Sequence, residues 1–113
     1  MESATAVGFV WTDKETLEAE VEMTDQLFII QEYGSFYKWD VIAVVSSWST
    51  NEGYEELLRM IDEIPIEMLI VTKPIHTFTY SEALQKKLKE KNIFVTTINI
   101  KKEAAVTFIP SSI

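Results

Sequence analysis

The fold is decided by residues 52–98, which contain EGYEELLRMIDEIP (52–65), IEMLIVTKP (66–74), TYSEALQKKLKEKN (79–92) and IFVTTI (93–98). The first segment has the i, i+3, i+4, i+7 spacing of one apolar helix face, formed by Tyr54, Leu57, Leu58 and Ile61. Thr50 or Asn51 is expected to cap this helix, and Pro65 to end it. Residues 66–71 are apolar at most positions, as in a strand covered on both faces.

The second half of this stretch repeats the order of helix and strand. Thr79 and Glu82 have the spacing of a capping box, and Asn92 suits the left-handed residue that ends a helix. The inward side of this helix is predicted to hold Ala83, Leu84 and Leu88. The run Ile93–Ile98 predicts the next strand.

Upstream, Ala6–Trp11 predicts a buried strand, and Thr12 with Glu15 gives a capping box for a helix that begins near Asp13. We expect that helix to extend to about Tyr33, with its inner side formed by Leu17, Val21 and either Leu27 or Phe28. The alternative is that residues 27–30 start a strand that turns at Gly34-Ser35. Residues 41–45 predict a further buried strand.

Strands that alternate with helices imply parallel pairing through right-handed crossovers. The sequence therefore predicts a three-layer α/β/α fold over residues 1–113 as one domain, with a mainly parallel sheet of four to five strands. Residues Val106–Ile109 would supply the fifth, edge strand. Ligands of such sheets bind beyond the carboxyl ends of the strands, which predicts a site formed by Trp11 to Asp13, Ser46 to Thr50 and Thr72 to Thr79.

Composition narrows the function classes. The formal net charge of −8 predicts repulsion from a nucleic-acid backbone, so we expect no DNA binding. The chain has no cysteine and one histidine, and the even spacing of Glu18, Glu20 and Glu22 scatters them round a helix, so no metal site and no cofactor are expected. Neither a membrane span nor a signal peptide is recognised, which predicts a cytoplasmic protein. No glycine-rich phosphate loop occurs.

The order of elements resembles the catalytic domain of the serine recombinases, the resolvase/invertase family. Residues 8–12, Gly-Phe-Val-Trp-Thr, lie where that family has Gly-Tyr-x-Arg-x-Ser, and residues 16–20, Thr-Leu-Glu-Ala-Glu, resemble its Ser-Leu-Glu-Ala-Gln. Residues 51–58 resemble its Arg-Pro-Gly-Leu-x-x-Leu-Leu helix, and residues 70–79 lie over its strand end and Lys-Leu-Asp-Arg-Leu-x-Arg loop. The resemblance extends to about Asn99 and implies a resolvase-like fold.

The residues that the resemblance would assign to catalysis are replaced. The nucleophilic serine falls on Asp13, or on Thr12 with a turn shorter by one residue. Uncharged or weakly basic residues stand in place of the family's tyrosine, arginines and loop aspartate: Phe9, Trp11, Asn51, Ile75, His76 and Thr79. An arginine cluster stabilises the charge that develops on a phosphodiester, so we expect no enzyme activity and no catalytic residue. We also expect neither the dimerisation helix nor the DNA-binding domain of the family, because the sequence ends at Ile113.

Three functions are considered. The first is a catalytically inactive resolvase-like domain that regulates or assists another protein through protein–protein contacts, with a partner or with a second copy. The second is a small-molecule or nucleotide-binding domain that uses the three loops, and the third is an acidic mimic of nucleic acid. Trp48, an aromatic residue among serines, is the predicted protein-contact anchor. The candidate contact residues for a ligand or partner are Trp11, Thr12, Ser47, Trp48, Asn51, Lys73 and His76.

Overall fold

The computed structural model of the chain describes residues 4–48 and 51–98. Strands and helices alternate along these residues. Their order is β1 (Thr5–Trp11), α1 (Leu17–Tyr37), β2 (Asp40–Ser47), α2 (Glu52–Glu63), β3 (Met68–Val71), a 3₁₀ turn (Ile75–Thr77), α3 (Ser81–Glu90) and β4 (Phe94–Thr97).

The four described strands form one sheet in the order β2-β1-β3-β4, and every neighbouring pair is parallel. Strand β1 lies between β2 and β3, with Gly8 opposite Val44 on one side and Ile70 on the other. The chain passes from β1 to β2 on one side and later from β2 to β3 on the other side of β1. The direction of winding therefore reverses between β1 and β3. This arrangement confirms the predicted α/β class with a parallel sheet.

Alternate residues of β1 pack on opposite sides of the sheet. Ala6 and Val10 join the cluster that contains Met23 and Ile30 of α1. On the other side, Val7, Phe9 and Trp11 pack with residues of α2 and α3, among them Leu57, Ile61, Leu84 and Leu88. The fold therefore has three layers, with α1 on one face of the sheet and α2 and α3 on the other.

The start of α1 differs from the prediction. The helix begins at Leu17, where the Ala19 N–H donates to the Thr16 side-chain oxygen at 3.1 Å, and not near Asp13. The prediction that Thr12 caps the helix is wrong, because its hydroxyl oxygen accepts from the Lys14 N–H at 3.2 Å in the turn after β1. The helix extends to Tyr37 and ends at Lys38, whose φ is 59°. Helix through residues 27–33 is therefore confirmed, and the alternative turn at Gly34-Ser35 is wrong.

The predicted inner side of α1 is also wrong. Leu17, Val21 and Phe28 are exposed, and Leu27 is half-buried. The sheet is instead covered by a face that includes small and polar residues: Ala19, Met23, Gln26, Ile30 and Gly34. This face covers the sheet because α1 and the sheet approach each other closely at two glycines. A Cβ at Gly8 would lie 2.8 Å from Cγ2 of Ile30, and one at Gly34 would lie 2.5 Å from Cγ2 of Val41.

The interior side of α2 is confirmed: Tyr54, Leu57 and Ile61 are buried, and Leu58 is partly buried against the same core. Asn51 occupies the N-cap position without a side-chain hydrogen bond to the helix, and Ile64 precedes Pro65 at the other end. The alternative cap, Thr50, lies outside the described residues.

Helix α3 begins at Ser81, one residue later than a cap at Thr79 would place it. Tyr80 occupies the N-cap position and makes no side-chain capping bond, so the capping box of Thr79 and Glu82 is wrong. Leu84 and Leu88 are buried as predicted, whereas Ala83 is exposed. Asn92 has a φ of 56°, the left-handed conformation expected after the helix.

Strand β4 is shorter than the predicted run, and the flanking Ile93 and Ile98 are buried. The proposed edge strand Val106–Ile109 lies outside the described residues.

None of the helices in residues 4–48 and 51–98 is both long enough and apolar enough to cross a bilayer.

Candidate functional site

A cleft of about 270 Å³ opens at the carboxyl edge of the sheet, where β1, β2 and β3 end. Six of the seven predicted contact residues line this cleft: Trp11, Thr12, Ser47, Trp48, Asn51 and Lys73. His76 does not line it; it is exposed in the 3₁₀ turn, next to Thr77, which does. The loops that the strand-end rule predicted therefore meet at one place, and the role of these residues in binding stays a prediction.

Two buried hydroxyl residues, Thr12 and Ser47, lie where β1 and β2 end. The Thr12 N–H donates to the Ser47 carbonyl at 3.0 Å, which continues the β1–β2 ladder one residue past Trp11. The Thr12 hydroxyl oxygen accepts from Lys14, so its own proton is available for another acceptor. Ser47 is only 2% exposed, which orients its side chain by packing. The Thr12 hydroxyl is thus held by a backbone N–H of its own turn, and Ser47 lies buried at the end of β2.

One side of the cleft is aromatic. The rings of Trp11 and Phe78 lie 5.4 Å apart, and both contact Phe9 beneath them. Tyr80 stacks on Tyr54 with 5.2 Å between ring centroids and an angle of 8°. Trp48, which also lines the cleft, is partly exposed. Tyr80 thus combines an exposed ring with support from a buried ring, that of Tyr54.

Tyr54 lies below this aromatic group at the start of α2 and is buried. Desolvation raises the pKa of its phenol above the ordinary value, although the Lys87 ammonium group acts in the opposite direction. The phenol is therefore neutral at physiological pH, and it supports Tyr80 as an uncharged ring.

The charge in the cleft comes from two of its lining residues, Lys73 and Asp13. Lys73 is fixed at three points. Its ammonium nitrogen donates to the Trp11 carbonyl oxygen at 2.9 Å, lies 5.8 Å above the Trp11 ring and lies 3.6 Å from a carboxylate oxygen of Glu22. Asp13 is exposed. In the part of the lining that the structure describes, neutral donors are thus combined with one cation and one anion.

A hydrogen-bond chain behind the cleft ties α1 to the end of β3. The Thr72 hydroxyl donates to Oε1 of Gln26 at 2.8 Å, and Nε2 of Gln26 donates to Glu22 at 2.9 Å. Gln26 is 3% exposed, yet both ends of its amide have partners. Sequence reasoning missed Gln26 and assigned Glu22 to a scattered, solvated set of carboxylates, because polar residues on a helix are usually solvated. No local signal marks Gln26 as a core residue.

The first turn of α2 borders the cleft through Asn51. Gly53 is required here by close packing, since a Cβ would collide with the Ser46 carbonyl oxygen and lie 2.6 Å from Cα of Ser47. This contact brings the helix start directly against the end of β2. The first N–H groups of a helix lack intrahelical acceptors, so the site has backbone donors close to Asn51.

No group of three or more His, Cys, Asp or Glu residues in the described part of the chain is placed to hold a metal ion. Buried side-chain nitrogen and oxygen atoms all have hydrogen-bond partners within residues 4–48 and 51–98.

Comparison with known proteins shows similarity at the level of structure. None of the protein-family models matches the sequence, and no curated protein sequence matches it significantly. The fold is similar to the crystal structure of the C-terminal catalytic domain of ISC1926 TnpA, an IS607-like serine recombinase, with a TM-score of 0.70 and 10% sequence identity. The match covers 94% of this chain and 79% of that one. The chain therefore has a serine-recombinase-like, or resolvase-like, α/β fold, as the resemblance implied.

This comparison contradicts the prediction that the chain is not an enzyme, because the matched structure is a catalytic domain. At 10% identity the similarity shows the fold and not an activity. The lack of arginine in the three loops is consequently insufficient ground for excluding a reaction in the cleft.

Proposed function

We propose that the chain binds a small phosphorylated ligand with a flat ring, of the size of a nucleoside monophosphate, in the cleft formed by the loops after β1, β2 and β3. The observation that carries the proposal is the convergence of Trp11, Thr12, Ser47, Trp48, Asn51 and Lys73 on that cleft. Parallel α/β sheets bind ligands at this edge, where the winding direction reverses.

The lining matches the two parts of such a ligand. Trp48 and Tyr80 offer ring faces for stacking. Stacking on an aromatic side chain stabilises any of the bases, because every base has a π-face. Thr12, Ser47 and Lys73 offer two hydroxyl groups and one ammonium group for a phosphate. Ligand pockets usually exceed ~300 Å³, so a cleft of about 270 Å³ favours a small occupant.

Charge limits the number of phosphates. Among the described residues one lysine lines the cleft, and Asp13 lines it too. Glu52 and Glu55 lie in the first turn of α2. These carboxylates oppose the accumulation of negative charge, so a monophosphate is favoured over a triphosphate. The net charge of −8 also argues against duplex DNA as the ligand.

Isothermal titration calorimetry with AMP, adenosine and ribose 5-phosphate tests the proposal. We expect AMP to bind more tightly than adenosine or ribose 5-phosphate. Trp48→Ala should weaken AMP binding by about fivefold or more, as expected for the loss of one stacking contact with the base. Phe36→Ala is the control, because Phe36 is an exposed aromatic residue at the far end of α1. Absence of AMP binding by the wild type, or equal losses in both variants, would refute the proposal.

The matched fold is that of a catalytic domain, so the same samples should also be analysed by chromatography. This measures whether the chain converts AMP to a product. Turnover that disappears in Thr12→Val would extend the proposal from binding to catalysis through the Thr12 hydroxyl. Thr77→Val is the matched control, since Thr77 lines the cleft but its hydroxyl donates to the Pro74 carbonyl within its own turn.

We propose protein contact as a second function, because α1 has an apolar stripe that faces away from the sheet. Leu17 is 75% exposed, Phe28 is 58% exposed, and Val21 lies between them. Residues spaced by four and seven lie on one side of a helix. The helix has no basic residue and carries five acidic ones, Glu18, Glu20, Glu22, Asp25 and Glu32. This charge opposes pairing of α1 with itself and favours a partner helix whose apolar stripe is flanked by Lys and Arg.

Fluorescence anisotropy with two designed helical peptides tests this second function. Both peptides carry the same leucine stripe, flanked by lysine in one and by glutamate in the other. We expect the lysine peptide alone to bind, and Leu17→Ser/Val21→Ser/Phe28→Ser to abolish binding, whereas Phe94→Ser on β4 leaves it unchanged. Equal binding of both peptides, or a dimer of the chain that the triple variant dissolves, would refute this function.

A further inference from the structure

A bound phosphate and the Glu22 carboxylate would compete for the ammonium group of Lys73. Lys73 lines the cleft, where a phosphate would need it, and it also lies 3.6 Å from the Glu22 carboxylate on α1. The Lys73 side chain is 32% exposed and that of Glu22 is 57% exposed, so solvent weakens this ion pair without removing it.

The Glu22 side chain is restrained by a hydrogen bond from Gln26. Nε2 of Gln26 donates to the same Glu22 oxygen that faces Lys73, at 2.9 Å. Gln26 is itself fixed, being buried and accepting the Thr72 hydroxyl at 2.8 Å. A buried amide with a partner at each end thus keeps a carboxylate beside the one cation that the described residues place in the cleft lining.

We infer that Glu22 is a specificity-determining residue that competes with an anionic ligand for Lys73, with Gln26 as the residue that positions it. This inference rests on the proposed function and deepens it. When a phosphate enters, the Lys73 ammonium must divide its hydrogen bonds between the phosphate and its present partners, and the nearby Glu22 charge repels the phosphate. Triphosphates are therefore disfavoured more strongly than monophosphates.

Glu22→Gln separates charge from structure. A glutamine at position 22 can still accept from Gln26, but it has no charge to offer Lys73. Glu20→Gln is the matched control, because it removes one carboxylate from the same helix, and the Glu20 side chain makes none of the contacts that join Glu22 to Lys73 and Gln26. Any general change in the field of α1 appears in both variants.

The first measurement needs no ligand. Amine labelling with an N-hydroxysuccinimide ester, followed by mass spectrometry, compares the labelling of Lys73 with that of Lys86 on α3. We expect Lys73 labelling to rise in Glu22→Gln by about two- to fivefold, as expected for loss of a partly exposed ion pair, and to stay unchanged in Glu20→Gln. Equal labelling in both variants would overturn the inference.

The second measurement titrates inorganic phosphate and then AMP by calorimetry. We expect Glu22→Gln to bind both about two- to fivefold more tightly than Glu20→Gln does, and adenosine to bind all proteins equally. Increased labelling without tighter phosphate binding overturns the competition and leaves the ring-binding part of the proposed function standing. Failure of every variant to bind AMP overturns the proposed function and this inference with it.

Discussion

Replacement of Gly53 by alanine tests the packing that creates the cleft. The new methyl group would collide with the Ser46 carbonyl oxygen and lie 2.6 Å from Cα of Ser47. These are backbone atoms of β2, so no side chain can rotate to relieve the contact. Ordinary contact begins at 3.4 Å, and a displacement of about 0.8 Å is needed to restore that distance to Cα. The start of α2 must therefore move away from the sheet, taking Asn51 with it.

Two effects of opposite sign determine the change in the free energy of unfolding. Alanine in place of glycine favours a helix by about 1 kcal/mol. Overpacking typically costs about 1–3 kcal/mol, and contact with backbone, which cannot rotate away, places Gly53 at the upper end of that range. We therefore expect a net loss of about 2 kcal/mol, which lowers the urea midpoint by about 1 M.

Urea denaturation followed by circular dichroism gives the measurement, with Gly34→Ala as the control. The Cβ at position 34 would meet a methyl group of the Val41 side chain, so a smaller loss is expected there, and Val41→Ala in the same protein should relieve it. A Gly53→Ala protein at least as stable as the wild type would refute the reasoning, since it would mean that helix propensity outweighs the contact with β2.

Three further results are expected. Gln26→Leu should cost about 1–3 kcal/mol in urea denaturation, because the buried Thr72 hydroxyl loses its acceptor; a neutral effect would contradict the hydrogen-bond chain. Leu57→Ala should cost about 2–5 kcal/mol, because Leu57 is fully buried between α2 and the sheet; a loss below that range would show a loosely packed core. The hydrogen bond from Lys87 lowers the pKa of Asp62 below its ordinary value. The stability that this pair contributes is therefore fully present above the unfolded pKa of Asp62, about 3.9, and is lost as the pH falls through the folded pKa. Asp62→Asn should therefore make the loss of stability at acid pH less steep. An unchanged pH dependence of stability at acid pH would contradict the pair.

The parallel sheet and α2 were predictable because their signals are strong and local. In α2 a single apolar stripe, which contains Leu57 and Ile61, faces the core. Strand β3 is buried at every residue, as its continuous apolar run indicated. For these elements, periodicity and burial give the same answer, so the sequence alone sufficed.

Helix α1 was harder because it has two faces with helical spacing. The stripe of Leu17, Val21 and Phe28 is more hydrophobic by residue type, yet the face with Gly34 and Gln26 covers the sheet. Close approach of backbone and a satisfied buried amide decide between them, and both are properties of the tertiary structure. Periodicity cannot distinguish the two faces.

The cleft was predictable in place but not in its internal contacts. The rule for parallel sheets located the three loops, and six of seven candidate residues line one cleft. His76 was wrongly predicted to line the cleft, because in the 3₁₀ turn it is the neighbouring Thr77 that lines it. The link from Lys73 through Glu22 to Gln26 joins residues about fifty positions apart in the sequence, which no local pattern indicates.

The most direct test of the central claim is an NMR titration of the ¹⁵N-labelled protein with AMP. We predict that shift changes concentrate at the backbone amides of Thr12, Ser47, Asn51 and Lys73, and that Trp48 contributes an indole N–H shift. Spectra that do not change, or changes confined to the outward stripe of α1, would contradict the claim that this edge of the sheet binds a phosphorylated ligand.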